Sequence, residues 1–324
     1  MSARYVQPLR ILIQFCFLAF TLWLGLQFFQ FLRFIGTDGA TTFVTRPDGI
    51  EAFLPISGLL GFSAWLKGLG INSIHPAALV LLLTICMVSL LLRRSFCSWI
   101  CPVATISELS WKTGFKIFRR NLRLPGWLDI ALRGLKYLLL IAFIYSIVIA
   151  MSPEALRDFI QSDYHKQADV RLLGFFLHIS PLALGILLAL LLLSLPLKNP
   201  FCRYLCPYGA LLGLLAMLSP LRVTRDKQAC VSCGVCSQVC PTHIDVMHKT
   251  SVVSPECIGC WRCIGYCRAQ GALSMRAAGR ILIPGIVFAV LVVFFFWGGT
   301  LIGKLSGHWH TSLSIDEYRR LLGR

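Results

Sequence analysis

With 324 residues, 56% of them apolar and only 14% charged, and a mean hydropathy of +0.73, this chain is too apolar for an ordinary soluble domain. Its net charge of +17 would suit nucleic acid, but the basic residues lie where membrane loops belong, so the charge is read as a topology signal and no nucleic-acid partner is expected. Fourteen cysteines, twelve of them in four tight groups, exclude a random disulfide framework and point to metal ligation.

Five apolar runs are long enough to cross a hydrocarbon core of roughly 30 Å, at residues 11–32, 74–92, 132–151, 172–195 and 281–301. The first has no small-residue cleavage site after it and reads as a retained helix, not a signal peptide. The loop after it is balanced in charge, and its stretch RPDGIEAFLPISGLL at 46–60 reads as a re-entrant or interfacial segment lining a quinol pocket, or as an ordinary amphipathic loop. The segment 93–133 carries eight Lys or Arg against Glu108 and Asp129, whereas the loop 152–171 is slightly acidic. By the positive-inside rule the N-terminus is then cytoplasmic, as is the stretch 222–280, and the tail after the fifth run is outside. Within the basic segment, KTGFKIFRR reads as an interfacial helix on anionic lipid.

The second and fourth runs end alike, in FCSWICP at 96–102 and FCRYLCP at 201–207. A shift of 105 residues places Cys97 on Cys202, Cys101 on Cys206, Trp99 on Tyr204, Pro102 on Pro207 and Pro76 on Pro181 without a gap. This is an internal repeat of a two-helix unit, expected to bring both cysteine pairs together at one membrane face. On a helix, i and i+4 share a face, so each pair presents two thiols, and the following Pro ends or kinks the helix. The four thiols Cys97, Cys101, Cys202 and Cys206 either hold a further metal centre or redox dithiol, or pack as small apolar residues. Cys16 and Cys86 stand alone within apolar runs and read as core residues. His75 and His178 adjoin the matched prolines and are candidates for a quinol site, for haem ligation, or for plain interfacial packing, with His165 in the same outer loop.

The most specific signal is CVSCGVCSQVC at 230–240 and CIGCWRCIGYC at 257–267, each C-x2-C-x2-C-x3-C. In this bacterial ferredoxin spacing the fourth cysteine of each run serves the other cluster. Cys230, Cys233, Cys236 and Cys267 are thus expected on one [4Fe–4S] cluster, and Cys257, Cys260, Cys263 and Cys240 on the second. Zinc knuckles use pairs, not runs of four. Pro241 follows the first run, but Arg268 stands at the matching place after the second. In the tail, Ser314 and Glu317 have capping-box spacing, and His308 and His310 read as loop residues rather than metal ligands. The chain has no P-loop, no GxGxxG and no nucleophile triad, so no NAD or flavin site is expected.

Two Cys-x3-Cys-Pro motifs followed by a two-cluster module resemble the NapH/NosR/MauN group of polyferredoxin-like membrane proteins, over residues 46–275. The resemblance implies membrane quinol oxidation feeding a respiratory partner: a periplasmic iron–sulfur protein, a reductase or a cytochrome c. The fifth run and tail depart from the NapH-like pattern, and no large periplasmic flavin domain like that of NosR-like members is expected. The expected fold is mainly α and polytopic: a four-helix membrane domain at 1–221, a cytoplasmic α+β two-cluster module at 222–280, and a fifth helix with an external tail at 281–324. The expected function is electron transfer between the quinone pool and that partner, in a bacterial inner membrane. The expected cofactors are two [4Fe–4S] clusters, with quinone and an additional metal centre as further candidates. Two other classes stay open: a maturation factor supplying electrons for metal or disulfide reduction, and a redox-sensing regulator.

Overall fold

The computed structural model describes residues 5–37, 40–269 and 271–322. It is mainly helical. Among the described residues, three helices are long and apolar enough to cross a membrane: Val6–Gly36, Gly126–Ile149 and Gly285–Leu305. At 1.5 Å per residue, even the shortest of these reaches about 31 Å. Exposed side chains along the apolar helices, such as Ile141, Leu182 and Val290, are those expected to face lipid in such a chain.

The other two expected runs take different forms. The second is the helix Pro76–Leu92, whose 17 residues reach only about 26 Å. The fourth, expected as one helix over 172–195, is two: Ala168–Leu177 and Pro181–Leu193, bent by 80°. Pro181 has no N–H to continue the first helix, and it disfavours helical geometry at Ser180. Counting that pair as one gives up to four spans. The fifth run also starts later than expected: Ile281–Leu282 is a strand, and the helix begins after Pro284, at Gly285.

The chain forms two compact units. The first comprises the described residues up to Leu18, then Ile85–Leu140 and Leu187–Phe296; the second comprises Ala19–Thr84, Ile141–Ile186 and the described residues from Trp297 on. The chain changes unit five times, each time inside an apolar helix that matches one of the five runs.

The first unit contains all twelve grouped cysteines. It also contains a three-stranded antiparallel sheet, β1 (Leu221–Arg225), β2 (Leu273–Ala277) and β3 (Ile281–Leu282), in that order. Leu221 pairs with Ala277 and Arg225 with Leu273. Alternation puts Leu221, Val223, Leu273 and Met275 on the buried face. Both cysteine runs lie between β1 and β2, which gives the α+β module expected from the ferredoxin pattern.

The second unit has an apolar helix, Pro55–Leu66, whose Leu60 and Ala64 pack with Ile74, Ile147, Leu156 and Ile160. Phe28, Phe31, Ile35, Ile50 and Tyr318 form its other core. Tyr318 comes from the tail helix Ile315–Leu321, which opens with the expected capping box of Ser314 and Glu317.

Candidate iron–sulfur site

Two cavities in the first unit are each lined by four cysteines. One, of ≈ 330 Å³, is lined by Cys230, Cys233, Cys236 and Cys267. The other, of ≈ 400 Å³, is lined by Cys240, Cys257, Cys260 and Cys263. In each foursome three cysteines come from one run and the fourth from the other. This is the exchange that the ferredoxin spacing prescribes.

The two loops reach this arrangement by the same backbone path. Cys233 lies between Ser232 at φ 50° and Gly234 at φ 71°, and Cys260 between Gly259 at φ 58° and Trp261 at φ 59°. Left-handed residues on both sides of the middle cysteine curl the loop and turn N–H groups inward, forming a nest for a negatively charged group. The N–H of Ser232 points to the Cys230 sulfur and that of Arg262 to Cys260. The N–H of Ile244 donates to Cys240 Sγ at 3.4 Å. Burial pushes the Cys260 thiol up to about 12, Arg10 drawing it back only in part. A thiol so buried is held as thiolate by a metal's charge, and the donor set suits a cluster. Among the described residues no three His, Cys, Asp or Glu side chains converge on a single ion. Four cysteines on a cubane each bind a different iron and are spaced more widely. The first foursome is the more open: Cys233 is exposed, while Cys240 and Cys260 are buried.

The Cys-x3-Cys-Pro motifs are not the ends of straight helices. Each cysteine pair brackets one wide turn, closed by an N–H from Cys101 to Phe96 O and from Cys206 to Phe201 O, both 3.0 Å and both five residues back. Cys101 and Cys206 are extended, with ψ 121° and 105°, because proline follows. Each proline then opens a new helix, Pro102–Phe118 and Pro207–Met217. The helical turn thus ends just before each proline, as expected, and the proline also starts the next helix. The four thiols lie close enough to interact electrostatically: Cys101 with Cys97 and Cys206, and Cys202 with the other three. Burial, more than this mutual repulsion, raises Cys101 to about 12. Arg94 Nε donates to Cys97 Sγ at 3.3 Å and its Nη2 to Cys202 O at 3.3 Å.

What the motifs visibly do is hold the second cysteine foursome. Ser98 Oγ donates to Ile258 O at 2.5 Å and Trp99 Nε1 to Gly259 O at 3.1 Å. Arg93 Nη2 donates to Ser254 O at 3.0 Å, just before the second run. At the matching place in the repeat, Lys198 Nζ donates to Gln238 O at 3.1 Å and Cys240 O at 3.5 Å, at the end of the first run. The N-terminal helix adds a polar stripe, Gln7, Arg10 and Gln14, at i, i+3 and i+7. Gln7 Nε2 donates to Cys260 O at 2.9 Å, and Gln14 Nε2 and Arg10 Nη1 to Ser98 O at 2.9 and 3.0 Å. Arg10 also makes a two-pronged pair with Glu108, at 2.6 and 2.8 Å. Phe288 packs between Trp99 and Trp261, with ring centroids 5.6 and 5.7 Å away. None of Gln7, Arg10, Ser98 or Glu108 stood out in the sequence. The available signal was three polar residues on one face at the head of an apolar run.

In the second unit, His75 is fully buried. Its Nε2 donates to His165 O at 3.0 Å and its Nδ1 faces Glu51 Oε1 at 3.4 Å. The rings of His75 and His165 are 5.0 Å apart. Glu51 and Asp169, both buried, share Arg46, whose Nη2 donates to them at 2.9 and 2.8 Å. Tyr318 donates to Asp169 at 2.9 Å. His178, expected to match His75, is exposed at the 80° bend and takes no part in this network, so the partner of His75 is His165.

The profile of the 4Fe-4S binding domain family matches residues 74–125 and again 179–225, starts that are 105 residues apart, as in the internal repeat. The profile of the 4Fe-4S dicluster domain family matches residues 222–268. Fold and site thus define an iron–sulfur electron-transfer protein of the membrane. "Putative electron transport protein YccM" of Escherichia coli (strain K12) is 39% identical over 95% of this chain and 88% of its own length. "Uncharacterized protein MJ0750" of Methanocaldococcus jannaschii is 30% identical over 61% of this chain and 78% of its own. "Ferredoxin-type protein NapH" of Escherichia coli (strain K12) is 29% identical over 54% of this chain and 59% of its own. No solved structure matches. The chain belongs to the NapH-type family of polyferredoxin-like 4Fe-4S membrane proteins.

Proposed function

We propose that the chain carries electrons between the quinone pool and a respiratory partner through two [4Fe–4S] clusters. Cys230, Cys233, Cys236 and Cys267 would hold one, and Cys240, Cys257, Cys260 and Cys263 the other. The observation that carries this reading is the pair of four-cysteine cavities with exchanged fourth residues. Bound there, the clusters supply one-electron transfer. The chain's own residues set the environment: N–H groups aimed at sulfur, and basic side chains clamping the runs. The five changes of unit, each inside an apolar run, support five crossings, with all twelve grouped cysteines on one side. The positive-inside rule makes that side cytoplasmic, in the inner membrane. The sequence segments 1–221, 222–280 and 281–324 are then a membrane domain, a two-cluster module and a last crossing with its tail.

The quinol site belongs on this reading to the second unit, at His75. With Nε2–H committed to a carbonyl, His75 turns its Nδ1 toward the Glu51 carboxylate, 3.4 Å away. Such a pair suits acceptance of a proton from quinol. The role of Cys97, Cys101, Cys202 and Cys206 on this reading is a redox or metal function next to the second cluster, beyond their part in the wide turns. The test is an iron and sulfide count with stopped-flow reduction by a quinol. The reading predicts eight irons per chain and reduction of both clusters. Four irons, or full clusters that quinol never reduces, would defeat it.

A further inference from the structure

A polar cavity of ≈ 580 Å³ in the first unit is distinct from the two cysteine cavities. Its wall carries four cations, Arg123, Arg133, Lys198 and Arg203, against one carboxylate, Asp129. That carboxylate is already engaged. It accepts from Arg203 Nη2 and from Tyr204 OH, both at 2.8 Å, and from Arg133. Four positive charges against one negative leave an excess of three.

The donors left over are buried. Arg203 is 5% exposed, and its Nε has no partner. The same holds for Arg133 Nε and for Nδ1 of His243, which lines the same wall. Lys198 spends two of its three N–H donors on the carbonyls of Gln238 and Cys240, which leaves one. Arg123, Arg133, Lys198, Arg203 and His243 thus line one wall-to-wall polar space. Native interiors seldom leave so many donors without acceptors, and an oxyanion with several lone pairs would satisfy them together.

We propose that this cavity binds a phosphate-type oxyanion, held by Arg123, Lys198, Arg203 and His243 just ahead of the membrane helix Gly126–Ile149. The cavity is continuous in the chain with both iron–sulfur elements: Arg203 and Tyr204 lie between Cys202 and Cys206, and the His243 N–H donates to Cys240 O at 3.3 Å. An anion arriving there would therefore be felt at the second cysteine foursome. Two sources share this chemistry, a free phosphate group and the phosphate of an anionic lipid headgroup. Basic pockets at the ends of membrane helices take the latter.

The experiment uses the full chain in two arms. In one, inorganic phosphate is titrated calorimetrically into detergent-solubilised protein at constant ionic strength. In the other, protein is exchanged from vesicles of phosphatidylcholine with phosphatidylglycerol, and retained phosphatidylglycerol is counted by native mass spectrometry. Arg123 is exposed, so Arg123→Gln leaves the fold intact, and exposed Arg120→Gln, which does not line the cavity, removes the same charge. Saturable binding in either arm, weakened at least tenfold by Arg123→Gln and unchanged by Arg120→Gln, is the expected result. The arm that binds identifies the source. Binding in neither arm, or equal weakening by both variants, overturns the proposal.

Discussion

Arg10 is fully buried, and Glu108 supplies its countercharge. Lys112 and Arg262 crowd the same carboxylate at 2.7 and 3.6 Å. Burial alone would raise the Glu108 carboxyl, but bonds from Arg10 and Lys112 outweigh it and hold the group well below the usual carboxylate range. Glu108→Ala would strand a buried guanidinium beside the Cys260 loop, and we expect it to cost about 3–5 kcal/mol, read as a lowered thermal midpoint in detergent. Lys112→Ala, at a more exposed partner, is expected to cost about 1 kcal/mol or less. His165 adds a second acid-sensitive point: burial first, then His75, pushes it down to about 4. Its folded value lies below its unfolded one, so its contribution is intact above pH 6.5 and is lost as pH falls from there towards 4. Glu108, also lowered, loses its contribution below the unfolded carboxylate value of about 4.3. A pH series of thermal midpoints should therefore fall in two steps, and His165→Gln should remove the upper one. At this scale the cysteine ligand types were legible in the sequence because their spacing is local. The partner of Arg10, 98 residues away, was not, and neither was the choice of His165 over His178 beside His75.

The two copies of Cys-x3-Cys-Pro share a backbone path and differ in what the intervening side chains grip. In the first copy Ser98 and Trp99 hold the Ile258–Gly259 loop, whereas in the second Arg203 and Tyr204 hold Asp129. Trp99→Phe keeps the ring beside Phe288 but leaves Gly259 O without its donor, a loss of about 1–3 kcal/mol. If both four-cysteine cavities hold clusters, as proposed, one of the two reduced-cluster signals in electron paramagnetic resonance is expected to shift and its iron to be lost at lower temperature. Tyr204→Phe should leave both signals in place, and equal effects of the two changes would contradict the asymmetry. Elements also meet where no side chain fits. A Cβ on Gly114, in Pro102–Phe118, would run into the backbone carbonyl of Leu195, which cannot turn away as a flexible side chain can. Gly114→Val should therefore lower the thermal midpoint by several degrees, while Gly134→Ala, with open space around it, should not. The repeat and its prolines were visible in the sequence. That proline begins the next helix, and that the 172–195 run breaks by 80°, depended on which backbone groups found partners on each side of the proline.

Across the whole molecule, the chain passes five times between its two units, and the cysteines are confined to one. If each passage is a membrane crossing, the two ends of the chain face opposite sides. A C-terminal alkaline phosphatase fusion should then be active and a C-terminal green fluorescent protein fusion dark; the reverse pattern would remove one crossing. Sequence by itself determined what is local or periodic: an apolar chain built for lipid, a duplicated unit, and two cysteine runs whose spacing is that of ferredoxin-type 4Fe–4S sites. These are short-range properties, written in consecutive residues. Only the tertiary structure decided which buried charges pair, which histidine meets His75, and that the Cys-x3-Cys-Pro turns clamp the Cys257–Cys263 loop. Those outcomes depend on hydrogen bonds between residues up to 253 positions apart, such as Gln7 to Cys260, and no local pattern encodes such a partner.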